Sequence, residues 1–136
     1  MAEKLNLKII TPEAIIVDEQ VDAVYSVAVD GEFGILPGHI PFMTALDIGV
    51  SKYVQGNNVE YIATIGGILQ VEGNNVTILS DAAERGSEID VPRARAAKER
   101  AQARLGTGTA DIDTDRAQIA LQRAITRIKA ASKSRS

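Results

Sequence analysis

The feature that most limits the fold is a change of hydrophobic period part-way along the chain. Up to about residue 86 the apolar residues fall in short runs that favour every second position, and beyond it they recur at helical spacing. Period two sends alternate side chains to opposite faces of a strand, whereas a spacing of three to four gathers them on one stripe of a helix. Leu5, Leu7 and Ile9 alternate with Asn6 and Lys8, and Thr11-Pro12-Glu13 breaks the run. Ala14 to Val17 and a Val-rich run from Val21 to Val29 follow. Ile48 to Val54 and Val59 to Ile65 flank Gln55-Gly56-Asn57-Asn58, and Ile68 to Val71 and Val76 to Leu79 flank Glu72-Gly73-Asn74-Asn75. Each pair reads as a β-hairpin, because Gly and Asn tolerate the positive φ of tight turns. Short strands in succession, with no helix between them, predict an antiparallel β-sandwich or flattened barrel over residues 1–86.

After residue 86 the pattern changes. Asp90 stands where a helix N-cap belongs, and Pro92 falls in the first turn, where its missing N–H is harmless. Ala94, Ala101 and Leu105 share one stripe, with Arg93, Arg100 and Arg104 on the stripe beside it. Gly106-Thr107-Gly108-Thr109 ends this helix, and Asp111 and Asp113 place acid near the next N-terminus, which the macrodipole favours. Ala117, Leu121, Ala124 and Ile128 form a second stripe, flanked by Arg116, Arg123 and Arg127, and residues 132–136 read as a frayed polar tail. The predicted class is therefore α+β, the sandwich being followed by an antiparallel α-helical hairpin over residues 87–136. Alanine lets helices approach closely but buries little area. At ~25 cal/mol per Å² such a seam stabilises far less than a leucine seam, so the hairpin is expected to dock weakly and to open. Helices of about 15 residues are marginal alone in water, so an opened pair needs another surface.

Charge divides at the same place. Residues 1–86 carry 4 Lys/Arg against 12 Asp/Glu, net −8, and residues 87–136 carry 11 against 6, net +5. Two parts with different partners are implied. Aromatic residues make up 4% of the chain, so the core must be built from Val, Ile, Leu and Ala. The chain has no cysteine and one histidine, which excludes disulfides, thiolate zinc sites and multi-histidine metal centres. No apolar run approaches the ~20 residues of a membrane span, and the N-terminus lacks a signal peptide's apolar core, so a soluble intracellular protein is expected. Gly66-Gly67 lacks the Lys-Ser or Lys-Thr and following helix of a phosphate loop, and a bulge or close backbone approach is expected there.

One segment stands apart within the strand-rich part. Gly31-Glu32-Phe33-Gly34-Ile35-Leu36-Pro37-Gly38-His39-Ile40-Pro41-Phe42 holds the single histidine and both phenylalanines. It reads as a tight turn, a short buried apolar piece and a second turn, anchored by Phe33, Ile35 and Leu36, rather than as plain ladder strand. An acid/base pair of Glu32 and His39 would make an enzyme, but no nucleophile with an orienting partner, metal cage or cofactor loop accompanies it. Nucleic-acid binding by the basic helices is opposed by a pI near 5.2 and by the absence of aromatics from residues 87–136.

Several segments, in order along nearly the whole chain, resemble the epsilon subunit family of bacterial and chloroplast F-type ATP synthases. They are Thr11-Pro12, Gly34-Ile35-Leu36-Pro37-Gly38-His39, Gly66-Gly67, Asn75-Val76-Thr77-Ile78-Leu79 and Ala83-Glu84-Arg85-Gly86-Ser87-Glu88-Ile89-Asp90. Asp47-Ile48-Gly49 and Gly86-Ser87 lean towards the cyanobacterial and chloroplast branch. The resemblance implies a non-catalytic subunit whose sandwich joins the gamma subunit and the c-ring, with Glu32, Gly38, His39 and Ile40 at the rotor interface. It implies that the hairpin extends towards the alpha/beta head as a brake on ATP hydrolysis, with Arg116, Arg123 and Arg127 meeting the beta subunit. It places the protein peripherally, on the cytoplasmic or stromal face of an energy-coupling membrane such as the thylakoid. Some family members bind ATP on the folded hairpin through Ile/Leu-Asp-x-x-Arg-Ala, which Ile89-Asp90-Val91-Pro92-Arg93-Ala94 matches, while Arg100, Arg123 and Arg127 match further arginines of those members. ATP is thus implied as a regulatory ligand, with no cofactor required and no metal. Arginine forks suit phosphate oxygens, which makes the set chemically coherent.

Overall fold

A computed structural model of the protein describes residues 3–106 and 114–135. Eight strands come first: β1 (Leu5–Ile10), β2 (Ile15–Val21), β3 (Ala23–Ala28), β4 (Gly31–Ile35), β5 (Phe42–Gln55), β6 (Asn58–Glu72), β7 (Asn75–Leu79) and β8 (Ala83–Arg85). A short 3-10 turn, Gly86–Glu88, leads to helices α1 (Val91–Gly106) and α2 (Thr114–Ser134). The strands hydrogen-bond in the order β2-β1-β7-β6-β5-β3-β4, with β8 added to β6. Pairing among the described residues is antiparallel except for β1 on β7, which is parallel.

The long strands β5 and β6 make this ladder a sandwich. The first half of β6 pairs with β8 through Ile62–Thr64, and its second half pairs with β7 through Ile68–Glu72. Between the halves stand Gly66 and Gly67, at φ +68° and +123°. A Cβ on Gly67 would overlap the Leu79 carbonyl oxygen and lie 2.8 Å from Ser80 Cα, so the expected close backbone approach is what the pair provides. Every strand from β1 to β8 contributes to one apolar core, among them Leu5, Leu7, Val17, Val24, Ile35, Leu46, Ile62, Leu69, Ile78 and Ala83.

The local readings hold at the Gly56 and Gly73 turns and fail in three places. The run from Val21 to Val29 is broken at Asp22, whose carboxylate accepts hydrogen bonds from the Lys4 ammonium and, at 2.7 Å, from the Gly56 N–H, turning a corner between β2 and β3. β2 in turn runs on through Asp18-Glu19-Gln20. Glu19 shares the alternating face of Val17 and Val21 and finds partners there, the Tyr53 hydroxyl and the Arg85 guanidinium at 3.5 Å. The Gly31-to-Ile35 piece is ladder strand after all, paired with β3 along its length. Phe33 packs against the core and Ile35 is wholly buried, but Leu36 is exposed and anchors nothing.

Three hydroxyls lie on the core side of the layer that carries the helices. Ser26 Oγ is 2.8 Å from Ser51 Oγ, Ser51 Oγ is 2.8 Å from Thr64 Oγ1, and Thr64 donates to the Gly49 carbonyl at 3.0 Å. The chain links β3, β5 and β6 within the core.

α1 packs chiefly on α2, and α2 alone has an extensive contact with the sandwich, against β5, β6 and the Gly86–Glu88 turn. Ala94 and Ala101 of α1 and Ala117 and Ala124 of α2 are buried, as the stripes predict, while Leu105, Leu121 and Ile128 are half-buried. A second face of α2, with Ala130 and Ala131, packs on Ala63 and Ile89. Residues 132–135 are therefore not a frayed tail. Residues 132–134 continue α2, and Arg135 donates to the Ile89 carbonyl at 3.4 Å. Asp90 caps α1 as expected, its Oδ1 accepting from the Arg93 N–H at 3.1 Å. Thr107-Gly108-Thr109, Asp111, Asp113 and Ser136 lie outside the described residues.

Tyr53, 3% exposed, sits at the centre of a polar knot: its hydroxyl donates to Glu19 and accepts from Arg85 at 2.9 Å, and Arg85 also reaches Glu60 at 3.4 Å. Burial, helped by the hydrogen bond to Glu19, pushes the phenol up to about 12 from its usual 10.0. The folded state thus prefers neutral tyrosine more than the unfolded chain does. That stability is fully present below pH 10 and is lost as pH rises towards 12. Urea unfolding at stepped pH should show a fall in stability across this window in the wild type, which Tyr53→Phe should diminish. Tyr53→Phe should also cost about 1 kcal/mol at neutral pH.

Candidate functional site

The structure places the residues proposed for the rotor interface at two ends of β4. Glu32 is exposed near its start, opposite Val27, while Gly38, His39 and Ile40 follow its end. Pro37 and Gly38 are the central residues of a turn closed by the His39 N–H donating to the Leu36 carbonyl at 3.2 Å. Gly38 has φ +83°, so with proline before it this is a type II turn, which no other residue pair would form as readily. The turn is tied down from outside by the Gly38 N–H, which donates to Asn74 Oδ1 at 3.1 Å. His39 Nδ1 lies 2.7 Å from the Ile40 carbonyl oxygen, and the Phe42 ring stands edge-on to both His39 and Phe33, at 5.7 Å in each case. The result is a braced turn that carries apolar side chains outward: Leu36 is 56% exposed, Ile40 73% and Met43 63%. Glu32 and His39 are not brought together, which removes the acid/base pair.

The residues proposed for ATP meet at the root of the hairpin. Ile89, Asp90, Arg93, Ala94, Arg100 and Arg127 all line one cleft of about 720 Å³ between α1, α2 and the sandwich. Arg123 does not line it, and is exposed on α2. Glu13, Glu84, Ala97 and Ala124 complete the wall. The size suits a small-molecule ligand, for which pockets run from roughly 300 to 1,000 Å³. Three of the charged groups already have partners: Asp90 caps α1, and Arg127 Nε donates to Glu84 Oε1 at 2.8 Å. Arg93 and Arg100 are exposed at the rim, where planar forks can take phosphate oxygens.

Residue-by-residue reading missed Glu84 and Glu13. Glu84 stands within the Ala83-to-Asp90 piece, but its pairing with an arginine 43 residues away is a tertiary fact. The Arg127 reading also changes. In this form it is half-buried against β8 instead of standing on an outward stripe with Arg116 and Arg123.

Comparison with known proteins gives one answer. A family model described as "ATP synthase, Delta/Epsilon chain, beta-sandwich domain" matches residues 4–86, and one described as "ATP synthase, Delta/Epsilon chain, long alpha-helix domain" matches residues 87–132. The ATP synthase epsilon chain of Desulforamulus reducens is 46% identical over 131 residues, 96% of this chain and 99% of that one. The ATP synthase epsilon chain of Syntrophobacter fumaroxidans is 47% identical over 133 residues, 98% of this chain and 99% of that one. A chain in the cryo-EM structure of the Euglena gracilis mitochondrial ATP synthase has the same fold, with a TM-score of 0.80 at 24% identity over 95% of this chain and 81% of that one. Matched along its sandwich and along its helices, and over its length by such relatives, the chain belongs to the ATP synthase epsilon-chain family.

Proposed function

We propose that this chain is a non-catalytic central-stalk subunit of an F-type proton-translocating ATP synthase. Its sandwich, residues 1–86, joins the gamma subunit and the c-ring, and its helical part, residues 87–136, restrains ATP hydrolysis and so favours synthesis driven by proton-motive force. The observation that carries this reading is the manner of attachment. The hairpin is held to the sandwich chiefly through one face of α2, and that face and the α1–α2 seam are rich in alanine. Each buried methylene-sized group contributes only about 0.8 kcal/mol, so the docked form is held by a small margin. A surface of beta and alpha subunits with an apolar cleft and acidic rim would offset the exposure of the apolar stripes, and the +5 charge of residues 87–136 suits it.

No helix among the described residues is long and apolar enough to cross a membrane. In this reading attachment runs through gamma and the c-ring. The protein then sits on the cytoplasmic face of an energy-coupling membrane, or on the stromal face if that membrane is the thylakoid. The braced turn at Leu36–His39, with Ile40 and Met43 exposed beside it, supports a rotor contact there.

ATP is a regulatory ligand of the cleft in this reading. Arg93 and Arg100 take its phosphates, and Glu84 and Arg127 close the wall. A ligand that binds only the docked form stabilises it by its differential affinity and no more.

Three measurements test these statements. Titration of the isolated protein with ATP should shift amide resonances in Ile89–Ala97, and Arg100→Ala should weaken binding about tenfold or more, the loss of a charge-assisted hydrogen bond. Absence of shifts at millimolar ATP removes the ligand. In the reconstituted complex, Arg116→Ala with Arg123→Ala should relieve inhibition of ATP hydrolysis without loss of assembly. Arg127→Ala is less discriminating, because Arg127 also serves the docked form. Third, Ile40→Asp should weaken coupling of proton flow to synthesis several-fold with little change in thermal stability, whereas unchanged coupling would place the rotor contact elsewhere.

A further inference from the structure

We infer that the last turn of α2, seated on Gly86, is a latch that holds the hairpin closed. The inference rests on the hairpin reading above but concerns the isolated chain. Gly86 opens the 3-10 turn that joins β8 to α1, and it is buried. It is not among the glycines with positive φ, so its backbone shape does not require glycine. Space does. A Cβ on Gly86 would overlap both Ser134 Oγ and the Ala130 carbonyl oxygen and would lie 2.9 Å from the Ala130 carbonyl carbon. Two of those three atoms belong to the helix backbone, which cannot swing aside as a side chain can.

The other contacts of this turn point to the same junction. Ser134 Oγ donates back to the Ala130 carbonyl at 2.8 Å, keeping the hydroxymethyl group flat against the helix. Arg135 Nη2 reaches the Ile89 carbonyl at 3.4 Å, and the Lys133 ammonium stands 5.7 Å from the centre of the Tyr61 ring. Ala130 and Ala131 are wholly buried against Ile89 and Ala63. Six consecutive residues, 130–135, therefore include five that hold the junction or the β6 surface next to it. Because α1 docks chiefly through α2, freeing this turn frees both helices. The covalent joint and the latch are the same place: the segment on which the hairpin would pivot is the one that its far end clasps.

Hydrogen exchange of the full-length protein tests the latch. Gly86→Ala should raise exchange in α1 and α2 at least tenfold and leave β5, β6 and β7 as protected as in the wild type. A chain ending at Ala131, which keeps Gly86 but loses the Ser134 and Arg135 contacts, should show the same division. If Gly86→Ala instead unfolds the strands, the shortened chain decides. Helices as protected as in the wild type, in the shortened chain or in a folded Gly86→Ala protein, overturn the latch. The hydrolysis assay separates this from the brake. A Gly86→Ala subunit whose helices are free but whose complex is inhibited no more strongly than wild type keeps the latch and rejects the brake.

Discussion

The architecture depends on how closely two backbones can approach at Gly67. β6 serves two layers at once, pairing with β8 on one side of the glycine pair and with β7 on the other. A strand can do this only if it turns sharply without losing its neighbours, and here the Leu79 carbonyl occupies the space a side chain would need. Remove that approach and β7 moves away from β6, taking with it the parallel pairing to β1. The core of one layer would then face nothing. The residues that look least like structure, two glycines between apolar runs, are the ones on which closure of the sandwich rests.

Much of this is legible in the sequence. The two Gly/Asn hairpins, the division near residue 86, the Asp90 cap and the buried alanine stripes follow from period and turn chemistry, which are local. What was not legible was tertiary in origin. Glu19 on a core-facing position looked like a break in a strand, because the tyrosine and arginine that satisfy it are distant in sequence. The polar end of α2 looked frayed, because serine and arginine signal exposure until a buried glycine seats the one and the Ile89 carbonyl accepts from the other. Leu36 looked like an anchor because leucine usually is one, yet its turn faces outward. The cleft residues carry a different lesson. Six of them were grouped by resemblance, and the fold brings those six to one wall. Arg123 stands apart, although by sequence nothing separates it from Arg127.

Alanine recurs along the buried seams of both helices, and glycine at the junction that α2 covers. Small residues give closeness without much buried area, so such contacts are specific in shape and modest in strength. The sandwich is built on the opposite terms, with isoleucine, leucine and valine at almost every core position. One chain thus joins a part packed with large aliphatic side chains to a part seated on small ones, and the change occurs within the few residues from Arg85 to Asp90. Arg85 belongs to the polar knot around Tyr53, while Gly86, directly after it, belongs to the helices.

The hydroxyl chain of Ser26, Ser51 and Thr64 also has a direction. Each hydroxyl has one proton to give, and Thr64 gives its own to the Gly49 carbonyl. Thr64 must therefore accept from Ser51, and Ser51 from Ser26. Reversing the order would take the Thr64 proton away from the Gly49 carbonyl. Apolar packing tolerates a strand that slides by two residues, since the same face still points inward, but this relay does not: the slide would take Ser51 out of line with both neighbours. The layer beneath the helices therefore carries a polarity and an address in addition to its packing.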